Sequence, residues 1–137
     1  MFEHLDDILG AQLCLNGIGD VYFNQGKYDE AFKHYNESLK KLQGSGDNSS
    51  IAVLLLNIGQ SLSQIGEPDK AIINLEKSLK LSKENDLLMV TACNYMVLAE
   101  VYNEKGKPTR ALDYCNRAYS LANELGAKEI IDRKSVV

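Results

Sequence analysis

An all-α solenoid built from three helix–turn–helix repeats is the fold class that this chain of 137 residues predicts, and three observations carry it. Gly26, Gly66 and Gly106 stand forty residues apart, and each is followed five residues later by an alanine, Ala31, Ala71 or Ala111. A shift of forty also aligns Leu15, Leu55 and Tyr95; Ile18, Ile58 and Leu98; Gly19, Gly59 and Ala99; and Tyr22, Leu62 and Tyr102. Within a unit the apolar columns recur at three- and four-residue steps, which places one buried stripe on each of two successive helices. Self-similarity at such a period marks stacked supersecondary units, and a stack of this kind presents a binding surface.

The elements follow from the columns. The first helix is expected near residues 7–25, with Leu15, Ile18, Gly19 and Tyr22 on its stripe, and Gly26 ends it, because a residue without Cβ enters a left-handed turn without strain. The second helix, near 28–43, carries Ala31, Tyr35, Ser38 and Leu39. The same pattern predicts helices near 48–65 and 68–84, then 87–105 and 108–125, grouped as repeats over 7–46, 47–86 and 87–126. Pro68 and Pro108 fall at the first position of a helix, where no amide hydrogen is needed. The small columns, Gly19, Gly59 and Ala99 on first helices and Ala31, Ala71 and Ala111 on second helices, let the two backbones approach closely while Tyr and Leu interlock around them.

The ends read as parts of further units. Ala127 to Ile131 begins another helix after a break at Gly126, and residues 127–137 are expected to be a truncated tail. The stretch Asp132 to Val137 also matches one reading frame of a common sequencing adapter, which would make the tail artefactual and the chain a fragment. Phe2 to Asp7 aligns with the end of a preceding second helix.

Composition narrows the function. Charged residues make up 25% of the chain and the formal net charge is −4, so the clustered cations that nonspecific phosphate contact requires are missing, and no nucleic-acid partner is expected. Lys40-Lys41 and Lys77, Lys80 and Lys83 read as solvated faces of second helices. No apolar run approaches the roughly 18 residues of a membrane span, and Met1 to Gly10 carries Asp and Glu where a signal peptide carries Lys or Arg, so a cytosolic chain with no membrane partner is expected. Cys14, Cys93 and Cys115 lie on or beside the apolar stripes and read as reduced, mostly buried thiols. Asn48-Ser49-Ser50 and Asn36-Glu37-Ser38 match the glycosylation pattern by coincidence, the first being cap and loop chemistry.

Neither histidine, His4 or His34, has a metal-ligand companion at helical spacing, and His34 reads as a surface residue of a second helix. No phosphate-cradling glycine loop or nucleophile elbow occurs, so no enzyme activity, metal or cofactor is expected.

The run Leu15, Ile18, Gly19, Tyr22, then Gly26, Tyr28, Ala31, Tyr35, Ser38 resembles the signature of the tetratricopeptide repeat family, and the resemblance recurs three times over residues 7–125. Two features depart from that signature. The aromatic that often opens the family's first helix is Leu15 or Leu55 here and survives as Tyr95, and the period is forty rather than about 34. Six extra residues lengthen the helices by about 9 Å in total, which resembles the longer-helix branch found in multi-domain signalling proteins.

The resemblance implies a right-handed solenoid whose first helices line a concave groove. The residues there not consumed by packing are Asn16, Leu56 and Met96 in one row, Asp20, Gln60 and Glu100 in the next, and Asn24, Gln64, Asn103 and Glu104 nearer the turn, with Phe23 and Ser63. These rows hold no Lys or Arg. Some family members bind a chain-terminal carboxylate through Lys, Asn and Arg, but the corresponding positions here are Leu13, Asn16, Asp20, Val53, Asn57 and Cys93, so that clamp is absent. Amides and carboxylates in the groove suit an extended peptide bearing Lys or Arg. Two function classes remain: a protein- or peptide-binding scaffold, the docking or sensory segment of a larger signalling or regulatory protein, and a structural module that self-associates through its repeat edges.

Overall fold

The computed structural model describes residues 17–135, with side chains described through residue 126. Helix α1 covers residues 17–24. It is followed by α2 (Tyr28–Leu42), α3 (Asn48–Ile65), α4 (Pro68–Glu84), α5 (Leu88–Glu104) and α6 (Pro108–Ser135). Among the described residues there is no strand. The hairpins are α1–α2, α3–α4 and α5–α6, and they stack in chain order, α2 against α3 and α4 against α5, with α5 also reaching α3.

Each hairpin turn is closed by the same pair of backbone bonds. Gly26 (φ 79°), Gly66 (φ 95°) and Gly106 (φ 77°) occupy the left-handed region. The amides of Lys27, Glu67 and Lys107 reach back to the carbonyls of Tyr22, Leu62 and Tyr102 at 2.8, 2.9 and 2.9 Å. Such six-to-one bonds satisfy carbonyls that a helix end would otherwise leave without partners. Pro68 and Pro108 open α4 and α6 as their sequence positions predict. Asp47 caps α3 by accepting from the Ser50 amide at 3.2 Å and the Ser50 hydroxyl at 2.7 Å.

The small columns do what close helix packing requires. A Cβ placed on Gly59 would lie 2.6 Å from two carbons of Leu75, and one on Gly19 would lie 2.6 Å from the Tyr35 ring. In the third unit Ala99 does carry a Cβ, and the column facing it shrinks to Cys115. Ala31, Ala71 and Ala111 are all buried.

A polar ladder crosses from the second repeat to the third inside this apolar stack. The Ser78 hydroxyl donates to the Ala52 carbonyl at 2.6 Å, and the Asn94 amide nitrogen donates to Ser78 Oγ at 2.9 Å and to the Val90 carbonyl at 3.0 Å. Ser82 and Thr91 pair at 2.8 Å. On the surface, Lys105 bonds Asp69 across the same repeat boundary, and that contact holds the Asp69 carboxyl below its usual range.

Three expectations need correction. The helix break at Gly126 does not occur: α6 continues through it to Ser135. Of the expected buried thiols, Cys115 is exposed in the open cleft between α5 and α6 and Cys93 is only half-buried, while Cys14 lies outside the described residues. His34 is not a free surface residue. Its ring stacks on Tyr22 at 5.3 Å with 16° between planes, and its Nδ1 is enclosed without a hydrogen-bond partner.

Candidate peptide-binding groove

The groove positions lie on the first helices, whose packing face is set by the Gly or Ala column that follows each second-helix contact. Asn16 lies outside the described residues. Asp20 is exposed on α1, and its Oδ1 accepts a hydrogen bond from the Tyr35 hydroxyl. That bond fixes the carboxylate at the junction of α1 and α2. Burial first, and then the bond to Asp20 and its charge, push the Tyr35 hydroxyl far above the usual tyrosine range, so it stays a donor.

On α3, Gln60 is half-buried and Gln64 exposed, and Gln64 shares a cleft of about 420 Å³ with the turn and first residues of α2, Gly26 to Glu30. Leu56 is not a groove residue. It is 8% exposed and belongs to the apolar core, because α5 stacks against α3 and closes over this side of the helix.

On α5 the predicted positions emerge together. Met96 is 56% exposed, and Glu100, Asn103 and Glu104 are exposed below it. Met96, Glu100 and Asn103 line a cleft of about 440 Å³ whose far wall is Ala111, Leu112 and Cys115 of α6. The arrangement offers an apolar floor with a carboxylate and an amide at its rim, which suits a side chain with an aliphatic stem and a polar head. Leu112 escaped the sequence reading although its column, Phe32, Ile72 and Leu112, repeats at forty. Asn24 and Phe23, at the end of α1, are exposed and half-buried, and Phe23 packs edge-on against Tyr28 at 5.1 Å rather than facing a ligand.

A cleft of about 470 Å³ lies between the end of α4, the start of α5 and α6, and contains none of the predicted groove residues. Lys83 and Arg117 stand in it with Asp86 and Glu124, so its walls carry no single sign of charge. Lys83 sits 5.4 Å from the centre of the Tyr95 ring and Arg117 is paired with Asp113 at 3.0 Å. Both cations are already engaged. Among the described residues no three His, Cys, Asp or Glu side chains cluster to hold a metal ion, and no helix is long and apolar enough to cross a membrane.

The fold defines a helical-repeat protein of stacked two-helix units. Family profiles described as tetratricopeptide repeat match residues 11–84 and 94–125, and the chain belongs to the tetratricopeptide repeat family. Proteins of this family bind protein partners. The chain is similar to Protein KINESIN LIGHT CHAIN-RELATED 1 of Arabidopsis thaliana, at 26% identity over 102 residues, which is 73% of this chain and 17% of that protein. It therefore spans about a sixth of the relative's length. Among solved structures, the TPR domain of Arabidopsis FLU superposes with a TM-score of 0.77 at 17% identity, covering 85% of this chain and 98% of that one. Aspartyl phosphate phosphatase F from Bacillus subtilis superposes with a TM-score of 0.76 at 16% identity, covering 84% of this chain and 30% of that one. These superpositions speak to the fold.

Proposed function

We propose that this chain is a non-catalytic scaffold that binds an extended peptide carrying Lys or Arg along its first helices, as the docking segment of a larger cytosolic signalling or regulatory protein. One observation carries the reading: the exposed charges in the groove rows, Asp20, Glu100 and Glu104, are all carboxylates, and the exposed Met96 lies one turn from Glu100. Groove rows that carry carboxylates and no Lys or Arg select against acidic ligands, since like charges brought together cost more than a polar contact returns. Asn24, Gln60, Gln64 and Asn103 both donate and accept, which suits an extended backbone. Asp20 is the best placed of the carboxylates because Tyr35 holds it in one position, so little side-chain freedom is lost on binding.

The experiment is a screen of basic and acidic peptide pools against the purified domain, repeated with Asp20→Lys and Glu100→Lys combined. The basic pool is expected to bind, the acidic pool to fail, and binding to weaken with salt, because exposed charge pairs are screened within about 8 Å at physiological ionic strength. The double variant should lose the basic ligands. Equal binding of both pools, or basic ligands retained by the double variant, overturns the groove reading and leaves the self-associating module in front.

A further inference from the structure

The two boundaries between repeats use the same columns but are finished differently. Where α4, α5 and α6 meet, the chain's own side chains close the surface. The Arg110 guanidinium lies 4.7 Å from the centre of the Tyr102 ring, and Tyr102 stacks on Tyr114 at 5.6 Å with 8° between planes. Lys105 of the turn bonds Asp69 at the start of α4. Stacked rings, a cation laid over them and an ion pair at the rim leave Tyr102 only 4% exposed.

Where α2, α3 and α4 meet, none of these side chains is present. Forty residues back, Arg110, Tyr102, Tyr114 and Lys105 become Lys70, Leu62, Asn74 and Ile65, while Asp69 keeps its counterpart in Asp29. Lys70 pairs with Glu67 at 3.6 Å, and the Asn74 side-chain amide donates to the Lys70 carbonyl at 2.9 Å. What remains is a cleft of about 400 Å³ between α2 and α4, floored by α3. Phe32, Ile58, Leu62, Ile65 and Ile73 give it apolar walls, and Ile73 is 54% exposed. Asp29 stands at the rim, exposed and without an ion pair among the described residues.

We propose that this cleft docks a partner protein segment that presents an aromatic side chain next to a Lys or Arg. The neighbouring boundary shows what completes these columns: rings and a cation fill the space, and a lysine takes up the carboxylate. The partner's ring covers Leu62, Ile65 and Ile73, and its cation meets Asp29. Glu67 is already matched by Lys70, so Asp29 sets the sign of charge that is preferred. The lining residues all lie between 29 and 74, and none belongs to the groove rows of the first helices, so the two sites are separate.

The test uses the full chain carrying Asp20→Lys and Glu100→Lys, which disables the first-helix groove, and short peptides with a central Tyr-Lys, Ala-Lys or Tyr-Glu pair. Binding is read from amide shifts in NMR spectra. The Tyr-Lys peptides are expected to shift Asp29, Phe32 and Ile73, the Ala-Lys peptides to bind about tenfold or more weakly, and the Tyr-Glu peptides to bind several-fold more weakly. In the same background Asn74→Tyr, which brings the ring of the third unit into the second, should close the cleft to the Tyr-Lys peptides. Asp29→Asn, at an exposed position, should weaken them by roughly two- to fivefold. Circular dichroism spectra matching the parent confirm that each variant is folded. Equal binding of Tyr-Lys and Ala-Lys peptides, shifts confined to other surfaces, or full affinity in both variants overturns the proposal. So do shifts at Phe32 and Ile73 that grow with protein concentration before peptide is added, since the occupant is then a second copy of the chain. The pools that probe the first-helix groove are made without aromatic residues, so failure of one site is read separately from failure of the other.

Discussion

At Tyr35 one side chain fills the space left by Gly19 and hands a hydrogen bond to Asp20. The consequence reaches the pH dependence of stability. The folded protein holds the Tyr35 proton more tightly than an unfolded chain does, because burial and the nearby carboxylate both disfavour the phenolate. Above the ordinary tyrosine pKa near 10 the unfolded state releases its proton while the folded state keeps it. The stability tied to Tyr35 is therefore complete below that pH and falls as pH rises beyond it. Tyr35→Phe should cost about 0.5–1.5 kcal/mol at neutral pH through the lost hydrogen bond. The gap between parent and variant should narrow above pH 10 in urea titrations. A gap that stays constant or widens would show that the hydroxyl is not held as described.

Among the helix-ending turns, the one between the second and third repeats is the exception in chemistry. Gly46 (φ 78°) takes the left-handed conformation before α3, and at the corresponding position before α5 Asp86 takes it with φ 54°. The Leu87 amide then reaches the Ser82 carbonyl at 2.8 Å, the same closing bond that the glycine turns make. Aspartate tolerates that region better than most residues with a Cβ, yet glycine enters it without steric conflict. Asp86→Gly should raise stability by about 0.5–1 kcal/mol, read as a higher denaturant midpoint with an unchanged slope. A lower midpoint would mean that the Asp86 side chain contributes something that its backbone conformation does not reveal.

For the whole molecule, each hairpin leans only on its neighbours, so the same substitution has different consequences along the stack. Ala71 is fully buried between helices covered on both sides, whereas Ala111 is nearly buried but lines the open cleft beside Leu112 and Cys115. Ala71→Leu should overpack the middle hairpin and cost roughly 1–3 kcal/mol. Ala111→Leu can push its added atoms into the cleft and should cost clearly less, while Lys77→Ala on the solvated face should change little. Thermal melts that rank Ala111→Leu at or below Ala71→Leu in stability would contradict the picture of one closed and one open edge.

The repeat unit, its turns and its close-packed columns were determined by the amino-acid sequence alone. Helix identity here rests on local periodicity, and the forty-residue spacing states the same local solution three times, so α2 to α5 fall within a residue or so of their expected bounds. What the tertiary structure decided is which side of each helix remains open after stacking. Leu56 and Met96 are the same column, yet Leu56 is buried in the core beside α5 while Met96 is exposed and lines the cleft between α5 and α6, and no one-dimensional pattern distinguishes them. The Tyr35 bond to Asp20 and the Asn94 ladder to Ser78 depend on side-chain geometry across helices, which residue spacing does not encode. Gly126 repeats the column of Gly46 and yet lies within a continuous helix, because a glycine permits a left-handed turn without imposing one and the packing around it settles which conformation the chain adopts.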